Sequence, residues 1–302
     1  MHTLTNGSRH LRDGITVTHL QSDDGASAVV ADHGAHLLSW RPAGGDEALF
    51  LSHASGYGGS AAIRGGVPVI FPQFGACGSG QRHGFARNAA WHFLGATLED
   101  GAALASWMLD AVPTVAGVPA DPDRVSGFRL TCTIRLEGDT IDIGLTILNT
   151  SSQAWRCQAA LHTYLRVDAL EAVQIDGLQD VPYADQTCPP ADARETVRDA
   201  GPLVFESEVD RIYLAAPAQV MLRDGQRCLA IRSRGFTDIV VWNPGQAKAA
   251  ALADLHPGGY REFVCIEAAA IGDHLELPPG ASWCGAQSLH LLIGKERLTS
   301  QE

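Results

Sequence analysis

The chain has 302 residues, of which 45% are hydrophobic and 19% are charged. This size and composition exclude a disordered tail and allow a large hydrophobic core in one or two domains. Asp and Glu number 34 against 22 Lys and Arg, which gives a formal net charge of -12. An acidic chain without a Lys/Arg run is not expected to bind nucleic acid or an anionic membrane surface. A few local arginines can still hold one small anion, because charges in water act over short distances.

The chain shows no membrane or secretion signal and no disulfide pattern. No apolar run approaches the roughly 20 residues that a membrane-spanning helix needs. Residues 1–18 lack the apolar segment of a secretory signal. The seven cysteines are odd in number, evenly spread and without a CxxC pair. This pattern favours reduced core thiols and a cytoplasmic location over a disulfide framework or a zinc ribbon.

Alternation of apolar and polar residues with a period of two predicts mainly β-strands. The clearest unit is a hairpin over 128–149 that turns at Glu137-Gly138-Asp139. A second hairpin, over 218–233, turns at Asp224-Gly225. Further strands are predicted at 14–20, 28–40, 48–52, 159–167, 203–205, 238–241, 263–268, 274–277 and 288–293.

Helical periodicity is weak, and the pattern predicts only one short helical turn, at 191–198. Many short strands separated by Gly- and Pro-containing turns are typical of an all-β protein, a large antiparallel β-sandwich or barrel. The Pro- and Asp-rich loop at 112–124 falls between strands of one sheet system. We therefore expect residues 1–302 to form a single domain.

In the segment IRGGVPVIFPQFG, residues 63–75, Arg64 is followed by the glycine pair Gly65-Gly66 and then by apolar residues broken by two prolines. Glycine allows close backbone approach or positive φ, and the prolines favour a rigid ribbon over a central strand. The segment suits the rim of a binding site. It is equally well read as a stiff structural loop with a solvated arginine.

The segment RHGFARNAAW, residues 82–91, places Arg82, His83 and Arg87 within six residues. Arginine forks match the geometry of phosphate and carboxylate groups, and histidine exchanges protons near neutral pH. Together with Arg64, these residues make an anion site plausible. The alternative is a surface loop with scattered charges.

Two predicted strands carry polar residues at unusual positions. In AALHTYLRV, alternation puts His162 and Tyr164 on one face, although a lone strand histidine is more often structural. In FVCIEAAA, Glu267 lies in an apolar strand and shares a face with Cys265. A carboxylate there is costly unless it is paired or faces a wet site, and burial raises its pKa. This suits a general acid or base, with a buried ion pair as the alternative.

The chain has no GxSxG elbow, P-loop or dinucleotide GxGxxG motif. Its densest group of metal-ligating residue types is Asp32, His33 and His36. No second cluster with matching spacing accompanies this group, so we expect neither a metal nor a cofactor.

Six motifs follow one another along the chain: IRGGVPVIFPQFG, HGFARNAAW, LHTYLRV, VDRIY, VVWNPG and CIEAAAI. In this order they resemble the glucose-6-phosphate 1-epimerase family, the hexose-6-phosphate mutarotases related to aldose 1-epimerase. The resemblance spans roughly residues 28–292. It implies a galactose mutarotase-like β-sandwich, in one domain, without metal or organic cofactor. It also implies a small-molecule sugar phosphate as substrate, glucose 6-phosphate foremost, and we expect a monomer.

The resemblance implies a role for each matching residue. His162 corresponds to the general acid and Glu267 to the general base for opening and closing the sugar ring. The implied substrate contacts are His83 at the sugar ring oxygens, Asp210 at the sugar hydroxyls, and Arg64 and Arg87 at the phosphate.

Two positions depart from the family pattern. Arg82 stands where members often have glutamine, and it either adds phosphate affinity or faces water. Gly245 stands where members have an aromatic residue. The alternative functions are an aldose 1-epimerase that acts on free hexoses and a non-catalytic carbohydrate-binding protein. A glycosidase ranks last, because that chemistry usually needs two carboxylates and only Glu267 stands out.

Overall fold

The computed structural model describes residues 6–57, 62–76, 80–110, 127–187, 196–225 and 227–292. Strands dominate these residues, as the alternating sequence pattern predicts. One α-helix among them, α1 (Gly245–Ala249), is accompanied by 3-10 turns at Ala86–Asn88, Leu170–Ala172 and Gly259–Glu262. The strands are β1 (Ser8–Arg12), β2 (Ile15–Gln21), β3 (Ser27–Ala31), β4 (His36–Arg41), β5 (Val69–Ile70), β6 (His92–Glu99), β7 (Ala102–Asp110), β8 (Phe128–Glu137), β9 (Thr140–Asn149), β10 (Trp155–Leu161), β11 (Tyr164–Arg166), β12 (Val173–Asp176), β13 (Tyr183–Asp185), β14 (Thr196–Val197), β15 (Val209–Tyr213), β16 (Gln219–Asp224), β17 (Arg227–Arg234), β18 (Asp238–Asn243), β19 (Phe263–Leu277) and β20 (Ser282–Leu292).

These strands form three antiparallel sheets. Strands β1 to β4 make a four-stranded sheet in chain order. The site sheet has the order β14-β13-β15-β18-β19-β10-β5, with β11 also paired to β19. The back sheet has the order β12-β16-β17-β20-β9-β8-β7-β6. The predicted all-β fold, a large antiparallel β-sandwich, is confirmed.

One hydrophobic cluster contains residues of all three sheets and forms the main core. Val30 of β3, Leu145 of β9 and Ile266 of β19 are each at most 1% exposed within it. Because side chains alternate along a strand, Glu267 lies on the opposite face of β19 from Ile266. The fold therefore removes Glu267 from the main core and leaves it on the outer face of the site sheet. That residues 1–302 form a single domain stays a prediction.

Both predicted hairpins are confirmed. Strands β8 and β9 pair in full register from Phe128–Asn149 to Glu137–Thr140, and Gly138 supplies the positive φ of 55° at the turn. Strands β16 and β17 pair beside the turn at Asp224-Gly225. Each turn contains glycine, the residue type that tolerates positive φ, and this is why the sequence predicted both hairpins.

Other predicted elements differ from the structure. The strand expected at 28–40 is divided into β3 and β4, because Gly34 and Ala35 have φ of 77° and 45° and turn the chain. The strands expected at 263–268 and 274–277 are one strand, β19. Residues 196–197 of the expected helical turn form β14, and 191–195 lie outside the described residues. The loop at 112–124 also lies outside them.

The cysteines behave as core residues for the most part. None of the five that the structure describes is in a disulfide, and four of them are buried. Cys77 and Cys188 lie outside the described residues. Among the described residues, no helix combines the length and the apolar character that crossing a membrane requires.

Candidate active site

Glu267 lies at the centre of the site sheet and is 1% exposed. Its cross-strand neighbour is Val240 of β18, and Cys265 precedes it on the same face of β19. The carboxylate Oε1 is 3.3 Å from Nε2 of His162. Oε2 is buried and has no hydrogen-bond partner among the residues that the structure describes. A buried acceptor without a partner calls for an explanation, and a ligand hydroxyl would supply the missing hydrogen bond.

His162 occupies a break between β10 and β11, where the sequence pattern predicted one continuous strand. Its backbone N–H donates to the Pro68 carbonyl at 3.0 Å, so the irregular segment 63–75 fixes this break. The ring of Tyr164 stacks on the His162 ring, with centroids 4.9 Å apart and 12° between the planes. Within the described part of the chain, the buried Nδ1 of His162 has no hydrogen-bond partner. The histidine is therefore held by ring packing and by Glu267, and one ring nitrogen is left for a ligand.

The glycine pair Gly65-Gly66 of the segment 63–75 allows the chain to pass close to its neighbours at this point. Gly65 and Gly66 have φ of 125° and 61°. A Cβ on Gly65 would lie 2.3 Å from the Phe50 carbonyl oxygen, and one on Gly66 would lie 2.2 Å from that of Leu37. Any side chain here would push the segment away from His162. The positive φ predicted from the glycine pair is found at both positions.

Burial sets the protonation of the two central groups. It raises the pKa of Glu267 well above its usual value, and the charge of Asp210 raises it further. It also lowers the pKa of His162, in the same direction as the nearby charges of Arg87 and Arg64. Both groups therefore favour their neutral forms in the absence of ligand. Their contact holds one transferable proton, and such a pair serves as both acid and base.

His83 packs beside His162, with ring centroids 5.7 Å apart. Its Nδ1 accepts a hydrogen bond from the backbone N–H of Gly75 at 3.3 Å. This contact places the ring proton of the neutral imidazole on Nε2, which becomes a donor. Burial lowers the pKa of His83 to about 3, helped by the charge of Arg87. His83 is thus a neutral hydrogen-bond donor over the physiological pH range.

The three arginines singled out from the sequence are held in different ways. Arg64 donates to Asp254 through Nε and Nη2, at 3.2 and 3.0 Å, and through Nη1 to the Tyr164 hydroxyl at 2.9 Å. Arg87 donates from Nη2 to the Arg82 carbonyl at 2.8 Å, and its Nε is buried without a partner. Arg82 is exposed. Burial lowers the pKa of Arg87, and the charges of Arg64 and Arg82, which lie within electrostatic reach, lower it further.

Asp210 lies on β15, two strands away from β19. Burial raises its pKa to about 6, whereas the charge of Lys248, whose Nζ is 3.7 Å from Oδ2, opposes this rise. Asp210 is close enough to Glu267 for its charge to raise the pKa of that residue. All seven residues singled out from the sequence are thus brought to one region, with Arg82 at its exposed edge.

Three neighbours of these residues were missed by the sequence analysis. Trp242, within the VVWNPG motif, sets its ring edge-on to His162 with centroids 6.0 Å apart. Lys248 pairs with Asp210 and is one of only two lysines among the 22 basic residues, which is a compositional signal. Asp254 has no local signal, because its partner Arg64 lies 190 positions earlier in the chain.

His162, Cys265 and Glu267 offer metal-ligand atoms within 4.8 Å of one another. Nitrogen, sulfur and carboxylate oxygen are ligand types that zinc accepts. Burial raises the pKa of both Cys265 and Glu267, so each keeps the proton that a metal ligand must release. The charge of Arg87 also disfavours a cation here. The group therefore favours proton transfer over metal binding.

In the other candidate metal group, Asp32 and His36 make contacts within the fold. Asp32 pairs with Arg9 and accepts a hydrogen bond from the indole N–H of Trp107 at 3.0 Å. His36 is fully buried, with Nε2 at 2.7 Å from the Gly65 carbonyl. These contacts tie β3 and β4 to neighbouring elements.

We expect His83 to remain neutral, with its proton on Nε2, throughout the range from pH 5 to pH 8. The reason is that its pKa is lowered to about 3. Nitrogen-15 NMR of histidine-labelled protein, with His83→Gln to assign the resonance, measures both the tautomer and the titration. A midpoint near 6.5, the ordinary histidine value, would contradict this assignment.

Comparison with known proteins shows where this chain belongs. Residues 16–290 match the model of the family described as aldose 1-epimerase. A protein of Escherichia coli K12 named "Putative glucose-6-phosphate 1-epimerase" is 36% identical over 264 residues, 85% of this chain and 83% of its own length. The crystal structure of YeaD of Salmonella typhimurium, a "putative mutarotase", has a TM-score of 0.83 and 29% identity, and covers 96% of this chain and 95% of that one. A galactose mutarotase-like protein of Clostridium acetobutylicum, 13% identical, shares the fold with a TM-score of 0.72 over 94% of this chain and 98% of its own. The chain belongs to the aldose 1-epimerase family and is an epimerase.

Proposed function

We propose that this protein interconverts the α and β anomers of a hexose 6-phosphate, glucose 6-phosphate foremost, by acid/base opening and closing of the sugar ring. The observation that carries this proposal is the buried pair of His162 and Glu267, 3.3 Å apart, each with a polar atom that has no partner. Beside it lies Arg87, whose Nε is buried and also without a partner. A sugar phosphate carries the hydroxyls and the anion that would satisfy these atoms.

The reaction needs one proton removed and one delivered at the same time. When the carboxyl proton moves from Glu267 to Nε2 of His162, the imidazolium donates its Nδ1 proton to the ring oxygen, and the Glu267 carboxylate takes the proton of the anomeric hydroxyl. The C1–O5 bond breaks, the resulting aldehyde rotates about its bond to C2, and the ring closes on its other face. For closure the two groups exchange roles, so the pair ends as it began. The charge of Arg87 favours the ionised form of Glu267 that the first step requires.

The remaining residues bind and orient the substrate in this proposal. His83 donates from Nε2 to a sugar oxygen, and Asp210 accepts from sugar hydroxyls. Arg87 has unused donors and takes the phosphate, with Arg82 adding charge from the exposed edge. Arg64 keeps most of its donors on Asp254 and Tyr164, so it contributes to phosphate binding mainly through its positive charge.

Two further properties belong to this proposal. We infer a cytoplasmic enzyme, which is supported by the buried thiols outside any disulfide among the described cysteines. We also infer a single-domain monomer. Large exposed apolar side chains are few among the described residues, and they lie on β1, β6, β14 and the segment before β15.

A second function, epimerisation of free hexoses, is favoured by one observation. Arg64 is already engaged by Asp254 and Tyr164, as a purely structural arginine would be. Arg87 supports the hexose 6-phosphate instead, because its buried Nε has no partner among the described residues, which is unusual for a purely structural arginine.

Replacing Glu267→Gln should lower kcat for anomerisation of α-glucose 6-phosphate by about 10²-fold or more, the range that general acid/base groups supply. The amide has the same shape as the acid but cannot shuttle the proton. Exchange NMR between the two anomers measures the rate, and thermal unfolding shows whether the variant is folded. Full activity in a folded variant would remove Glu267 from the catalytic assignment.

Replacing Arg87→Met should raise KM for glucose 6-phosphate about 10- to 100-fold, because a charge-assisted hydrogen bond to the phosphate is lost. The kinetic constants for free glucose should change little. Arg223→Met is the matched control, since Arg223 pairs with Asp176 on the back sheet, far from these residues. An equal loss on both sugars would favour the epimerase of free hexoses.

A further inference from the structure

Lys248 links helix α1 to the carboxylates at the start of β15. Its Nζ lies 2.6 Å from Oε1 of Glu208 and 3.7 Å from Oδ2 of Asp210. The lysine side chain is 39% exposed, and the two carboxylates are 31% and 21% exposed. The ammonium is therefore partly withdrawn from water and sits between two carboxylates of the same chain segment.

Gly245 explains how α1 comes so close to Glu208. It has a φ of 60°, and its N–H is held by Oδ1 of Asn243 at 2.9 Å. A Cβ at this position would lie 2.7 Å from the backbone nitrogen of Glu208. The glycine thus permits a contact between the start of α1 and Glu208 that a larger residue would prevent. One helical turn later, Lys248 reaches both carboxylates.

Asp210 needs such a cation more than a surface carboxylate does. It is largely buried and lies beside other acidic groups, Glu208 on its own segment and Asp185 on β13. The charge of Asp210 also reaches Glu267 on β19. A carboxylate in these surroundings loses its negative charge easily, and with it part of its strength as an acceptor for sugar hydroxyls. The cations that face it are Lys248 on α1 and Arg82 in the segment before β6.

We propose that Lys248 is a positioning residue: held by Glu208, its ammonium keeps the Asp210 carboxylate ionised and in place to bind the sugar hydroxyls. This inference rests on the proposed function, because it assumes that Asp210 contacts the sugar. It makes Lys248 act through Asp210 rather than on the substrate, and Glu208 act on Asp210 in the opposite sense. Removing the lysine charge raises the pH at which Asp210 ionises. Removing the Glu208 charge lowers it.

The direct test is the carbon-13 NMR titration of the Asp210 carboxyl in the full chain, with Asp210→Asn to assign the resonance. Lys248→Met should move the midpoint up by about 0.5 to 1 pH unit, a fraction of the shift of a fully buried pair because the groups are partly exposed. Glu208→Gln should move it down by about half a unit. Lys248→Arg should restore the wild-type midpoint, and Arg223→Met, in a pair of almost equal exposure (40% and 31%), should not move it.

Kinetics then connect the titration to the site. In the pH profile of kcat/KM for glucose 6-phosphate, the midpoint of the acidic limb should follow the NMR midpoint of each variant. The change should appear in KM rather than in kcat. The substrate phosphate ionises in the same way in every assay, so a comparison among variants removes its contribution to the pH profile. In an Asp210→Asn background neither substitution should shift the limb further.

Three results would overturn the inference. One is an unchanged Asp210 midpoint in both variants, and another is a shift in the same direction in both. The third is a rise of KM in Lys248→Met at every pH without any shift of the limb, which would make Lys248 a phosphate contact. The proposed function fails in a different way, if the wild-type protein does not accelerate anomerisation at all. The NMR titration still decides the role of Lys248 in that case.

Discussion

The withdrawal of His162 and Glu267 from water is the constraint on which the rest of the site depends. Each of the two residues is buried, and each has a polar atom without a partner. Burial pushes both groups toward their neutral forms, so the carboxyl proton of Glu267 is the one that can pass to His162 across their contact. The surrounding fold positions the histidine. His162 lies in the break between β10 and β11, and the segment 63–75 holds this break through a hydrogen bond at Pro68. Tyr164 stacks against the histidine ring. A solvated pair would titrate separately and would lose the close matching of acid and base.

The arginines beside the site carry positive charge, whereas the chain as a whole has a negative net charge. The sequence carries a net charge of -12, yet Arg64 and Arg82 lie within electrostatic reach of Arg87 beside the buried pair. The three arginines are not equivalent, because Asp254 neutralises Arg64 whereas Arg87 keeps unused donors. Asp210 is likewise affected by its ion-pair neighbours, because Lys248 pairs with both Asp210 and Glu208. Local pairing, rather than net charge, therefore decides which of these groups remain available to a ligand.

The sequence predicted the fold class, and it singled out residues that the structure brings to one region, in both cases for physical reasons. The roles assigned to those residues stay predictions. Period-two alternation marks strands, and a carboxylate such as Glu267 inside an apolar strand is conspicuous because burying it is costly. The break at His162 was not predictable, since it is imposed by a hydrogen bond to Pro68 from a distant segment. Asp254 was missed for a similar reason, as its link to Arg64 exists only in the folded chain. Gly245 departs from the family pattern in the sequence, and the structure explains why. The backbone of Glu208 lies so close that a side chain at position 245 would not fit.

The most direct test of this account is the protonation state of Glu267 in the ligand-free protein. Infrared difference spectroscopy of wild type against Glu267→Gln resolves a protonated carboxyl from a carboxylate. We predict that the protonated carboxyl band of Glu267 persists to a pH well above 4.5, because burial holds its pKa well above that ordinary value. A carboxylate band at pH 7 that titrates near 4.5 would contradict the account, since Glu267 would then behave as a solvated acid.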